Sequence, residues 1–572
     1  MSRMKSLLGL KGSGVLFKPI FNVVLLLLLI SLLAACAGPA ATTQIPATST
    51  EPTTTVVAEA KPKGDLVAAL QSFGGENYFP WADVPFSHLQ LLVYDMLIYW
   101  DHVNKKFLPG LAESWEVSED GMTTTYHLRK GVQFTDGWGE LTSADVAYDF
   151  AKHRSPESIG KTEVHRRVAS TDTPDPYTLV VHMKTPYPTF FVDLSMANSG
   201  VCQGIVCKKY IETVGEEVAS QKPIGSGPYR FVESEAGSYH KFVAQDTHWR
   251  VVPEFKNLTV RLIPETSTLV AALKTKEIDL SQVPPEQITE FLAAGVATEA
   301  SSVGGNILNA CFGGMVLPQD KYYDAAIHNK DPWVDPRVRK AMSIAIDREA
   351  LCKVIYAGYA DPVGVPIITT GSEKYQIAYD PAQAKQLLKE AGYPDGFSFN
   401  IISETNASFS AGQRIAEVLE GYWSQIGLKP KIVVIDYNTY LTKNRVPRKT
   451  AGDIYLTPIS SIADQLSKFE TYFIPNVTQI TFHDAGSYAI YQAMPKNSGF
   501  EVRNQVMDQL NQYLYENYGT VSLARAAYCY AWNSEKISSF PHVDGARPLY
   551  LEYVRYAQPI NTYRLFTPWP GR

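Results

Sequence analysis

Apolar and polar positions change rhythm several times within residues 108–150. Trp115 and Val117 lead into Asp120-Gly121, after which Met122, Thr124, Tyr126 and Leu128 alternate with Thr123, Thr125, His127 and Arg129. A period of two on either side of an Asp-Gly pair predicts a hairpin with one half-buried face, the glycine supplying the positive φ of the turn. Gly131 and Asp136-Gly137 turn the chain again. Thr142 then stands three residues before Asp145 and ahead of Val146, Ala147 and Phe150, which predicts a helix opened by a capping box.

Further along, the period lengthens to that of helices. Asp335 and Pro336 start one, with Val338, Ala341, Met342, Ala345 and Ile346 on a common face and Arg337, Arg339 and Lys340 expected on its solvated flank. Asp380 and Pro381 start another, with Ala384, Leu387, Leu388 and Ala391 at helical spacing and Gly392 as the C-terminal stop. Residues 501–522 carry a third, longer helical rhythm. Strands alternate with helices and no internal repeat or heptad run occurs, so the architecture is α/β. Gly225 and Gly227 flank Ser226, but no Gly-Lys-Ser/Thr follows and Pro228 has no N–H to offer a phosphate; a tight turn is expected there.

The amino terminus has a different character. Arg3, Lys5, Lys11 and Lys18 precede an apolar run over 21–35, and Leu33-Ala34-Ala35 leads into Cys36. The run is shorter than the ~20 residues that span a bilayer, so 1–35 is expected to be a secretion signal. The Thr-, Ala- and Pro-rich stretch 36–63 has almost nothing to bury and is expected to be a flexible tether. A net charge of −6 argues against nucleic acid or an anionic membrane surface as partner. Apart from Cys36, cysteines stand at 202, 207, 311, 352 and 529. Cys202 and Cys207 are close enough for a disulfide or for two free thiols, and the other three are expected to be buried and unpaired.

In their order along the chain, several segments carry a family resemblance. Residues 108–150, Pro176-Tyr177-Thr178-Leu179-Val180 with Thr185-Pro186-Tyr187-Pro188, the PIGSGPYRF segment 223–231, and 269–283 with Lys276 where a glycine is usual all resemble the bacterial extracellular solute-binding proteins of family 5, the peptide- and nickel-type receptors of ABC importers. Leu33 to Cys36 resembles a lipobox, implying lipidation at Cys36 and anchoring on the outer face of the cytoplasmic membrane or in the periplasm. The resemblance implies a two-lobe periplasmic-binding-protein-like fold. Lobe I would take 64–305 and 533–572, with a subdomain inserted at about 85–222, and lobe II would take 306–532. The lobes would join through crossings near 307–312 and 528–533. It also implies a monomer that captures an oligopeptide or related small solute and delivers it to a membrane permease with cytoplasmic ATPase subunits.

Candidate ligand contacts follow from the same resemblance. Asp464 occupies the place where peptide-binding members hold a ligand ammonium, although the usual Gly-Trp pair is missing; its alternative role is a helix cap. Asn309 and Phe312 on one crossing, Tyr530 and Trp532 on the other, and Asn77, Tyr78 and Trp81 after the first strand could present polar edges and aromatic faces. Aromatic residues make up 12% of the chain, which leaves an oligosaccharide-binding receptor open as the alternative ligand class. A secreted hydrolase is the other alternative, since 58 acidic residues permit carboxylate pairs that one sequence does not reveal. No G-x-S-x-G, H-E-x-x-H or C-x-x-C is present. His88, His102, His153 and His328 are scattered, so neither a catalytic residue, a metal site nor a cofactor is expected.

Overall fold

The strand Asp65–Leu70 is buried along most of its length, as befits a strand covered on both faces. It pairs in parallel with Asn257–Leu262 and with Leu280–Val283. In the computed structural model of the protein it lies at the centre of a seven-stranded sheet. From edge to edge the order is Tyr229–Glu235, Tyr239–Ala244, Asn257–Leu262, Asp65–Leu70, Leu280–Val283, Cys529–Trp532 and Ala297–Ala300. The structure describes residues 61–557 except 83–86, 102–103, 105, 157, 159–163, 165–166, 196–203, 301–304, 369–370, 406–410, 437–438, 441, 443–448, 477–481 and 540–549. The expected signal, Cys36, almost all of the tether and Cys202 therefore lie outside the described residues.

A six-stranded sheet forms the second lobe, in the order Ala360–Pro362, Val521–Ala526, Asn306–Phe312, Asp453–Ser460, Ser398–Thr405 and Lys429–Asp436. The chain passes from the first sheet to the second between Ala300 and Asn306 and returns between Ala526 and Cys529. Two crossings were expected, but their places shift. Asn306–Phe312 is a full strand of the second sheet, and Cys529–Trp532 pairs with Leu280–Val283 and Ala297–Ala300 in the first. The second lobe's strands therefore end at Ala526, ahead of the expected 532. Likewise the long helix is Phe500–Glu516, and the residues after it form the strand Val521–Ala526 because the sheet claims them.

Between Asp65–Leu70 and Tyr229–Glu235 the chain builds a four-stranded antiparallel sheet of Ala112–Val117, Thr123–Leu128, Thr178–Met183 and Val168–Asp175. The hairpin at Asp120-Gly121 forms as the alternation requires, with Thr124, Tyr126 and Leu128 buried and Gly121 at φ +66°. Both halves of the Thr142–Asp145 capping box are made. This inserted sheet shares one hydrophobic core with the first sheet, whereas the second lobe has its own core around Trp333 and Trp423. Each of those two indoles donates to a backbone carbonyl, Gly313 O at 2.8 Å and Met342 O at 2.9 Å, so no buried N–H is stranded.

A buried carboxylate ties the insertion to its lobe. Asp95 accepts hydrogen bonds from the Tyr99 hydroxyl at 2.9 Å, Trp249 Nε1 at 2.8 Å, Ser226 Oγ at 3.2 Å and Arg250 Nε at 3.2 Å. Burial opposes its ionisation, but His248 and Arg250 overcome this and hold the carboxyl well below the usual range. Arg250 continues to the Tyr553 hydroxyl at 2.7 Å and to Glu552 at 3.5 Å, bringing in the C-terminal segment. Gly225 and Gly227 serve this junction by allowing close approach. A Cβ on Gly225 would lie 2.1 Å from Val93 O, and one on Gly227 2.5 Å from Val93 C, where the Gly227 N–H donates to Val93 O at 2.7 Å.

Several local expectations are met and one is corrected. Asp335 and Asp380 cap their helices by accepting from Arg337 N and Gln383 N. Arg339, however, is 4% exposed and donates to the carbonyls of Trp333, Val334 and Asn517. It leaves the solvated flank because those carbonyls need donors. Cys207 is a buried thiol, which burial pushes up to about 11, while its possible partner Cys202 lies outside the described residues. Cys311, Cys352 and Cys529 are buried.

Two positions generate predictions. Lys276 follows the helix Thr266–Lys274 with φ +63°, a left-handed residue that a glycine would adopt without strain. Its ion pair with Glu535 is exposed and contributes little. Lys276→Gly should therefore stabilise the protein by about 0.5–1 kcal/mol, read as a higher urea midpoint at unchanged m value. Asp331, in the second lobe, is raised from 3.8 to about 6 by burial and by the neighbouring Asp453, against the pull of the Gly452 N–H. Between those pH values the folded state holds a proton that the unfolded chain has released, so stability falls as pH rises through the window. Melting temperatures measured across that interval should decline in the wild type and decline less in Asp331→Asn, which keeps an acceptor for Gly452.

Candidate functional site

Most of the candidate contacts are built into the packing of their own lobe. Asn77 Oδ1 accepts from Phe79 N at 2.8 Å and shapes its own turn. Tyr78 is 1% exposed, with its hydroxyl 3.2 Å from His240 Nδ1, and Trp81 stacks on Phe79 with ring centroids 4.6 Å apart. Asn309 is fully buried, accepting from Ser522 Oγ at 2.7 Å and donating to Ile307 O at 3.1 Å. Phe312 packs on Trp333 and Phe482 in the second core. Tyr530 belongs to the first core, with Trp532 half-buried against it. These residues are distributed through two cores instead of being gathered at one point.

Asp464 is placed differently, at a charged seam between the lobes. It is fully buried, precedes the helix Gln465–Tyr472 and makes no side-chain cap hydrogen bond. Its carboxylate instead receives Arg503 Nη2 at 2.8 Å and Nε at 3.1 Å. Arg503 turns its remaining donors on Glu470, with Nη1 to Oε1 and Nη2 to Oε2 both at 3.1 Å. The Tyr491 hydroxyl donates to Glu470 Oε1 at 3.1 Å. From the inserted subdomain, Arg167 Nη2 reaches Glu470 Oε2 at 3.5 Å, so this carboxylate is shared by guanidiniums of both lobes. Burial works against its charge, but Arg503 and Arg167 prevail and hold it below the ordinary range.

Tyr187 completes the seam. The Arg167 guanidinium lies 3.7 Å from its ring centroid and that of Arg503 5.6 Å, both within cation–π range. The ring is 4% exposed and its hydroxyl has no hydrogen-bond partner among the described residues. A buried hydroxyl left unsatisfied is costly, and a ligand atom entering the seam would satisfy it. Chemically, the seam offers charge-assisted hydrogen bonds and a π face. Among the described residues no group of three or more His, Cys, Asp or Glu could hold a metal ion.

The profile of the bacterial extracellular solute-binding proteins, family 5 Middle, matches residues 106–478. The chain belongs to this family. Glutathione-binding protein GsiB of Salmonella paratyphi A is 30% identical over 331 residues, 57% of this chain and 60% of the relative. Heme-binding protein A of Haemophilus influenzae is 26% identical over 383 residues, 63% of this chain and 68% of the relative. The chain thus spans about 60% of the length of the GsiB proteins it matches. In fold it is similar to DppA of Helicobacter pylori in complex with the peptide STSA, with a TM-score of 0.66, 22% identity and coverage of 87% and 99% of the two chains. HbpA2 of Haemophilus parasuis gives a TM-score of 0.70 at 19% identity over 86% of this chain and 100% of that one. The two-lobe fold expected from the sequence is the fold of this family 5 chain.

Of the seam residues, only Asp464 was singled out from the sequence. Arg503 carried a usable signal, since it sits in register with Val506, Met507, Leu510 and Leu514 on the buried stripe of its helix. A guanidinium on an apolar stripe requires a buried acid. Glu470, Arg167 and Tyr187 carried no comparable local mark. Because Arg503 is buried between two carboxylates, Arg503→Met should cost about 3–5 kcal/mol of folding stability. The double variant Asp464→Leu/Arg503→Met should recover much of that loss, both measured by urea unfolding.

Proposed function

We propose that this family 5 protein is the substrate-binding component of an ABC importer. It captures an oligopeptide or related small solute between its lobes and delivers it to a permease driven by cytoplasmic ATPases. The observation that carries this reading is a charged, aromatic seam between two lobes whose main sheets are joined, among the described residues, by two crossings. Such a body can alternate between open and closed arrangements, and a partner that recognises one of them can tell loaded from empty receptor. Relatives whose names carry glutathione or a bound peptide favour a peptide-type solute. Tyr187 and Arg167 would contact it from the inserted subdomain, and Glu470 and Arg503 from the second lobe. The protein would act as a monomer, anchored through lipid on Cys36 to the outer face of the cytoplasmic membrane. No helix among the described residues is long and apolar enough to cross a membrane.

Thermal shift of the purified protein against peptides, glutathione, oligosaccharides and haem, with native mass spectrometry of what co-purifies, tests the solute class. A peptide at about 100 times its Kd should add about 2.7 kcal/mol to the folded state and raise Tm accordingly. Tyr187→Phe keeps the ring between the guanidiniums but loses the hydroxyl, and should weaken binding about five- to tenfold. Binding of sugars or haem alone, or turnover of any panel member, would overturn the proposal.

A further inference from the structure

The contacts across the seam are unevenly placed. Apart from the packing beside the crossings, where the helix Arg348–Tyr356 meets the turn Pro285–Gln287, the described second-lobe residues that meet the inserted subdomain come from one stretch, 463–503. Glu470 takes Arg167 at 3.5 Å. Phe500, the first residue of the helix Phe500–Glu516, meets Phe107 edge-on with ring centroids 5.4 Å apart and Trp100 at 6.3 Å. Ala463 and Phe500 pack together against Trp100, Val192, Phe107 and Phe191. Asn497 Nδ2 donates to Glu119 O at 3.4 Å. An ion pair, an aromatic cluster and a side-chain-to-backbone bond thus span the seam using only groups of the protein itself.

We propose that these contacts form a latch between the inserted subdomain and the second lobe, with Arg167–Glu470 as its ionic part and Phe500 on Trp100 and Phe107 as its apolar part, which keeps the lobes closed in the absence of solute. Neither part needs a ligand atom. The second-lobe half is held rigid from behind, because Arg503 fixes Glu470 and Asp464 together at 2.8–3.1 Å while the Arg167 contact is longer. Opening the seam therefore parts the Arg167 bridge and leaves the Arg503 circuit intact within its lobe. The Asp95 network binds the insertion to the first sheet, so closing on the subdomain closes the whole lobe. The inference depends on the two-lobe receptor reading but on no particular solute.

The test is single-molecule energy transfer on the full chain, unfolded and refolded to strip any bound solute, with dyes at Lys209→Cys and Lys389→Cys, both exposed positions on opposite sides of the seam. Cys36 and Cys202 are replaced by serine, and labelling follows refolding, when Cys207, Cys311, Cys352 and Cys529 are buried. The wild type should be predominantly closed without solute. Arg167→Gln and Phe500→Ala should each lower the closed-to-open ratio about fivefold, and the double variant should lower it further. Circular-dichroism melts of each variant confirm folding, and because the two substitutions act on separate parts of the latch, either one is a sufficient test. A wild type that is mainly open without solute, or variants that keep the wild-type distribution, would overturn the proposal. No solute is present, so neither result depends on which ligand the receptor takes up.

Discussion

Two sheets joined by two short crossings impose the constraint from which the rest follows. The passages between Ala300 and Asn306 and between Ala526 and Cys529 are the points where the backbone leaves one sheet for the other. A relative motion of the lobes would turn about that edge, and the contacts with most leverage over it would lie away from it. Near the crossings the lobes are also packed, with the helix Arg348–Tyr356 against the turn Pro285–Gln287 and Ala527 N donating to Tyr359 O at 3.2 Å. The inserted subdomain supplies the first lobe's face of the seam, and the Asp95 network ties it to that lobe.

Buried charge sets the energetics at the seam. A guanidinium removed from water is tolerated only when its donors find acceptors, and Arg503 finds two carboxylates in fork geometry. The same reasoning explains two buried arginines of the second lobe that have backbone carbonyls as partners. Arg339 donates to Trp333, Val334 and Asn517, and Arg348 to Ser522, Ser343 and Ile346. Burial lowers the affinity of Arg348 for its proton to about 10, still far above neutrality, so its charge persists. At the seam the partners are acids instead, and Glu470 has acceptor capacity left for Arg167 of the other lobe.

The legible parts of the fold were those governed by neighbours along the chain. The Asp120-Gly121 hairpin, the Thr142–Asp145 box and the caps at Asp335 and Asp380 depend on residues within a few positions of each other, and all form. Elsewhere distant partners decide. Cys529–Trp532 joins the first sheet, although a short strand bears no mark of which sheet it pairs with. Arg339 looked like a solvent-facing flank residue until the carbonyls at 333, 334 and 517 came to lie around it. Tyr78 and Trp81 look like ligand platforms in a linear reading, yet the first core takes them up.

The sequence by itself determined the α/β alternation and the turns and caps, because period, glycine placement and capping chemistry act over short separations; the family came from the resemblance of segments in their order along the chain. Only the tertiary structure decided which charges meet. Asp464 and Arg503 are 39 residues apart and Arg167 and Glu470 are 303 apart. With 58 acidic residues in the chain, no local pattern tells which carboxylate will face a given arginine. That choice is made when two separately built lobes are brought together, since the desolvation of each charge depends on what the other lobe places against it.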